Sequence, residues 1–186
     1  TGDYPGSSIT AVTVVSDYAF FRIRVQMNTD LFLEDTLWVA LDTYESNLGE
    51  SVLPNGRSIV TGPETLRAEF ALGIPIGEDL ARLFVIPSYD VYGIKSPVRV
   101  DTVVSTSTDA GLWNPVRWKT NYTYNRTQYI GELRVSDSED PYQFLNAVTV
   151  FKDSLEIRIP WTLINFPAPS VGRAMHYVSH QEGGDI

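Results

Sequence analysis

The stretch Phe20-Phe21-Arg22-Ile23-Arg24-Val25-Gln26-Met27 decides the fold. Phe21, Ile23, Val25 and Met27 recur at every second position, and Arg22, Arg24 and Gln26 fill the places between. Successive side chains of a strand leave opposite faces, so this spacing sets one apolar face against one charged face. A helix would bring Ile23 and Met27 together and turn Phe21 and Val25 away from them. Upstream, Ile9-Thr10-Ala11-Val12-Thr13-Val14-Val15 alternates apolar with small polar residues. Downstream, residues Val148 to Ile159 read as a hairpin, because Lys152-Asp153 separates two alternating runs.

Other strands are expected over Leu37 to Leu41, Leu66 to Leu72, Arg82 to Ile86, Val98 to Ser105 and Gln128 to Val135. Turn formers punctuate them, among them Pro54-Asn55-Gly56, Gly62-Pro63, Gly93, Asp109-Ala110-Gly111 and Asp140-Pro141. Only Ile76 to Leu80 and the Trp161-Thr162-Leu163-Ile164 segment after Pro160 suit a helical turn. Many short strands in one short chain predict an all-β fold, a two-layer antiparallel β-sandwich of the jelly-roll or immunoglobulin-like kind.

The length of 186 residues suits one core, and no Gly-, Ser- or Pro-rich linker divides it. Residues 1–186 are therefore expected to form a single sandwich module. Its Thr-Gly start, without Met, reads as a piece excised from a larger protein. Apolar residues at 43% supply a sizeable core and speak against intrinsic disorder. A net charge of -9 argues against nucleic acid as a partner, since phosphate contacts need clustered cations. The acidic excess is uneven: residues 1–93 carry 5 basic and 13 acidic side chains, residues 94–186 carry 9 and 10. With no cysteine, disulfides, thiolate catalysis and thiolate-held metals are excluded. No apolar run approaches the roughly 20 residues of a membrane helix, so no membrane insertion is expected.

Three clusters could carry chemistry. After the strand Trp38-Val39-Ala40-Leu41, the residues Asp42, Glu45, Asn47 and Glu50 crowd one loop, with Gly49 for a tight bend. Calcium takes six to eight oxygens from such groups, so these four are candidate ligands of a structural calcium. The other reading is a solvated acidic turn in which Asp42 accepts backbone N–H bonds. In the second cluster, Trp113, Arg117, Trp118, Tyr122, Tyr124 and Asn125 combine flat rings with hydrogen-bonding groups. Rings can cover the C–H faces of a sugar while amides and guanidiniums reach its hydroxyls. Against that stands a core role for Trp113 and Trp118. Tyr89 and Tyr92, in Ser88-Tyr89-Asp90-Val91-Tyr92-Gly93, could form a rim beside this cluster or serve as structural corners. Nothing predicts an enzyme: there is no Gly-x-Ser-x-Gly elbow and no phosphate-cradling glycine loop. His176 and His180 sit in a terminal segment that reads as strand, where they share a face only loosely.

Taken together, Trp38 to Tyr44 with Gly49-Glu50, Ala68-Glu69-Phe70, Ala81 to Val85 with Tyr89-Asp90, and Glu156-x-Arg158-x-Pro160-Trp161 resemble the DOMON-like β-sandwich superfamily. The nearest likeness is to modules related to family 9 carbohydrate-binding modules, and it spans most of residues 9–170. The resemblance implies an antiparallel sandwich, structural calcium and sugar binding through aromatic residues. Relatives that bind haem use Met and His ligands; only Met27, Met175, His176 and His180 are available here, and haem is not expected. The expected function is a non-catalytic carbohydrate-binding module of a larger extracellular or cell-surface protein. Its partners would be a polysaccharide or oligosaccharide and neighbouring domains of the same chain. The alternative is a structural or interaction module without a small ligand.

Overall fold

A computed structural model describes residues 9–28, 36–43, 49–61, 64–86, 103–104, 112–119, 127–129, 131–139 and 147–164. The strands among them are β1 (Ile9–Ser16), β2 (Phe20–Met27), β3 (Thr36–Leu41), β4 (Val60–Thr61), β5 (Glu64–Thr65), β6 (Phe70–Pro75) and β7 (Leu80–Val85). They continue with β8 (Val103–Val104), β9 (Asn114–Pro115), β10 (Arg117–Lys119), β11 (Thr127–Tyr129), β12 (Glu132–Asp137), β13 (Val148–Val150) and β14 (Ser154–Pro160). Among the described residues a 3-10 turn, Trp161–Ile164, follows. The described residues are thus all-β, as the alternation predicts.

The chain divides into two compact units, each assembled from separate stretches. The first comprises Thr1–Leu37, Ile74–Ala81 and Leu133–Pro160. Its strand order is β1-β2-β14-β13-β12. β1 and β2 form an antiparallel hairpin in which Val12 faces Val25 and Val14 faces Ile23. β14 lies antiparallel on the other side of β2, with Leu155 opposite Val25 and Ile157 opposite Ile23. β13 joins β14 through the expected tight turn, closed by Phe151 N–H donating to the Ser154 carbonyl at 2.8 Å. β12 runs parallel to β13, with Val135 opposite Val148. The register aligns Ile23, Ile157, Val148 and Val135 in one cross-strand row, each exposed by no more than 5%. Burying one such aliphatic side chain contributes about 1.5–3 kcal/mol, so this face holds the sheet together.

The second unit comprises Trp38–Gly73, Arg82–Glu132 and Trp161–Ile186. There β6 pairs with β7, Leu72 opposite Leu83, and β9 pairs with β7, Val85 opposite Asn114. β3 borders β6, and Glu69 N–H donates to the Leu41 carbonyl at 3.1 Å. The Trp38 ring lies over Gly73: a Cβ there would stand 2.8 Å from Trp38 Cη2. Only glycine lets the indole approach the strand so closely, and Phe84 covers it with ring centroids 6.0 Å apart. Smaller ladders are β11-β10-β8 and β4-β5.

Three expectations shift. The strand foreseen at Leu66 to Leu72 begins instead at Phe70 and runs to Pro75, while Ala68 makes an isolated bridge to Glu50. Phe70, Ala71, Leu72 and Ile74 are all fully buried, so both faces of β6 are covered and alternation had no purchase there. The segment from Ile76 is no helix but the turn between β6 and β7, with Gly77 at φ 91°. The strand foreseen over Gln128 to Val135 is two strands: Gly131 between them accepts from Leu83 N–H at 2.8 Å and donates to the Val116 carbonyl at 3.2 Å.

Candidate functional site

The outward face of β1, β2, β14 and β13 bears a groove of about 330 Å³. Its lining alternates in chemistry: Thr13 and Val15 from β1, Arg22 and Arg24 from β2, Glu156 and Arg158 from β14, with Thr149 and Ala147 along the far wall. Ile23 and Ile157 reach it from the buried row beneath. This is the polar half of the period-two pattern, so the residues that make the groove are fixed by the same register that makes the core.

Thr13, Arg24, Glu156 and Thr149 lie in one cross-strand row. Arg24 Nη1 stands 3.4 Å from Glu156 Oε1. In the next row Arg22 is directly opposite Arg158. Both guanidiniums sit over the half-buried Phe20 ring, at 5.6 Å for Arg22 and 4.9 Å for Arg158. Arg24 stands 5.9 Å from the Phe151 ring centroid. Such cation–π contacts hold long side chains in place that would otherwise sample many rotamers. Arg22 is also anchored to Asp17, its Nη2 donating at 2.8 Å and its Nε at 3.1 Å. Asp17 Oδ1 accepts from the backbone N–H groups of Ala19 and Phe20, each at 2.8 Å. The Ala19 N–H, then Arg22, then the Phe20 N–H hold this carboxyl below its ordinary range.

A second polar group lies in the other unit. Glu69 is fully buried, and its Oε2 accepts from Thr43 N–H at 2.6 Å and from the Thr43 hydroxyl at 3.2 Å. Its Oε1 has no hydrogen-bond partner among the described residues. Burial, opposed by the Thr43 N–H and reinforced by the charge of Asp42, pushes its carboxyl up to about 7. In the sequence it is one of two charged residues, with Arg67, in the segment Leu66 to Leu72.

The residues expected to bind ligand fare unevenly. Trp113 is half-buried, and its Nε1–H donates inward to the Val52 carbonyl at 2.7 Å, which commits its polar edge to the fold. Arg117 and Trp118 lie on β10, opposite Tyr129 and Gln128 of β11, but their side chains fall outside the described residues. Tyr89, Tyr92, Tyr122, Tyr124 and Asn125 also lie outside them. Of the calcium ligands, Asp42 is exposed just beyond β3 and Glu50 is half-buried at its bridge to Ala68; Glu45 and Asn47 lie outside the described residues. Gly49 takes φ 100°, the tight bend foreseen for it. Among the described residues no three His, Asp or Glu side chains gather as a metal group. Met27 is a core residue, while Met175, His176 and His180 fall outside the description. No described helix is long and apolar enough to cross a membrane.

Sequence reading separated Arg22 and Arg24 as the polar face of β2 without assigning them a site. What could have found the groove is the matching alternation of Glu156 and Arg158 on a strand that pairs with β2. No protein-family model, curated protein or solved structure matches this chain.

Proposed function

We propose that the chain is a non-catalytic saccharide-binding module of a larger extracellular or cell-surface protein, built as a two-layer β-sandwich of DOMON-like type, with its ligand site in the groove across β1, β2, β14 and β13. The observation that carries this reading is the groove's lining, in which hydroxyls, guanidiniums and one carboxylate alternate with Val15 and Ala147. A sugar presents the complementary mixture of hydroxyls and C–H faces, and a site needs few convergent polar groups on an apolar floor. Titrating the protein with a panel of neutral and acidic oligosaccharides while following backbone amide shifts tests it. Shifts at residues 13–15, 22–24, 149 and 156–158 support the reading, and a panel that moves none of them overturns it.

The same proposal keeps a structural calcium held by Asp42, Glu45, Asn47 and Glu50. Its support is the unpartnered Oε1 of Glu69 within the field of Asp42, an arrangement a nearby cation would relieve.

A second reading, an interaction module, is favoured by β1. This eight-residue strand has no charged residue and ends the sheet order among the described residues, and Val12, Val14 and Val15 are each more than half exposed. An exposed apolar edge strand is a template for a further strand, such as one from a neighbouring domain. Concentration-independent sedimentation as a monomer, with Val14→Lys leaving assembly of the full-length protein intact, would dispose of it.

A further inference from the structure

The charged lining of the groove is three guanidiniums, Arg22, Arg24 and Arg158, to one carboxylate, Glu156, in a chain whose net charge is -9. Asp17, which Arg22 binds, adds a second carboxylate at its edge, so a positive excess of one charge remains there on an acidic molecule. Two of these cations are cross-strand partners: Arg22 lies directly opposite Arg158, and both stand on one ring, Phe20. Like charges directly opposite each other on a sheet repel. One row away Arg24 is opposed by an acid, Glu156, whereas in this row the acid beside Arg22 is Asp17, from the connection between β1 and β2.

We propose that the groove recognises a carboxylate-bearing sugar, a uronic acid unit of an acidic oligosaccharide, with the carboxylate between Arg22 and Arg158. This rests on the saccharide reading above and names its ligand class. A carboxylate there accepts hydrogen bonds from two guanidiniums that already stand against the Phe20 ring, Arg22 through the donors that Asp17 leaves to it. Planar forks fixed before binding lose little freedom when they pair with a carboxylate. The row of Thr13, Arg24, Glu156 and Thr149 then faces the neighbouring hydroxyls of the sugar. Glu156 belongs to the hydroxyl row rather than the carboxylate row, which keeps it one residue pair away from the anion.

The test is calorimetry on the full 186-residue chain with trigalacturonate, its methyl ester and acetate, at low and raised salt. The acid is expected to bind about tenfold or more tightly than the neutral ester, the worth of one charge-assisted hydrogen bond. Added salt should narrow that gap. Arg158→Gln should abolish the preference for the acid, and Arg158→Lys should keep part of it. Arg22→Gln serves as a second variant should Arg158→Gln not fold. Equal binding of acid and ester would overturn the uronate assignment and leave the saccharide reading intact. Acetate competing as effectively as the trimer would overturn it by showing a site for any carboxylate. Binding of neither acid nor ester would overturn both.

Discussion

β2 and β6 are strands of similar length with opposite lives. β2 alternates buried Ile23, Val25 and Met27 with exposed Arg22, Arg24 and Gln26, whereas β6 buries Phe70, Ala71, Leu72 and Ile74 without a break. One face of β2 is free to do chemistry; β6 has none to spare. The difference explains why the three arginines sit where they do, and why a carboxylate beside β6 behaves so differently. Glu156, on the open face, pairs loosely with Arg24. Glu69, adjoining β6, is stripped of water and titrates near 7.

The contrast can be broken first at β6. Phe70→Ala should lower unfolding stability by about 3–5 kcal/mol in urea titrations, because a fully enclosed ring leaves a cavity its neighbours cannot fill. Glu69 gives the next largest effect. Its folded value is raised from 4.5 to about 7, so its stabilisation is fully present below pH 4.5 and is lost as pH rises through about 7. The loss is on the order of 3 kcal/mol. With calcium chelated, urea midpoints at pH 5 and pH 8 should therefore differ more for the native protein than for Glu69→Gln, which has no proton to lose. Gly73→Ala should cost about 1–3 kcal/mol, since the added methyl meets the Trp38 ring rather than empty space. Trp38→Leu should remove most of that penalty, a coupling that a double-mutant cycle reads directly. On β2 the expected effect is smallest. Arg24 and Glu156 side chains are each about half exposed, so Arg24→Gln should change stability by less than about 1 kcal/mol while weakening ligand binding.

Legibility followed the same contrast. Period two was strong wherever one face met solvent, so β2, the β13–β14 hairpin and the turn after Pro160 were placed within a residue or so of where they lie. At β6 the run Phe70-Ala71-Leu72-Gly73-Ile74 offers no alternation, because both faces are covered, and the strand was read too early. Site prediction leaned on the densest aromatic segment, yet Trp113 spends its N–H on the Val52 carbonyl. Local crowding of rings does not reveal which of them a fold consumes. The groove was harder to see because its parts are far apart in sequence: Arg22 and Arg158 meet only through strand pairing. Glu69 carries no mark of its raised proton affinity in the sequence, because that comes from burial and from Thr43 and Asp42 beyond another strand.

The central claim is that the free face of β2 and β14 binds an acidic sugar. Amide-shift mapping of the native chain with trigalacturonate tests it most directly. The account predicts perturbations concentrated at residues 22–24 and 156–158, fading in Arg158→Gln. Saturable binding that leaves those amides unmoved and shifts the segment around Trp113 instead would contradict it.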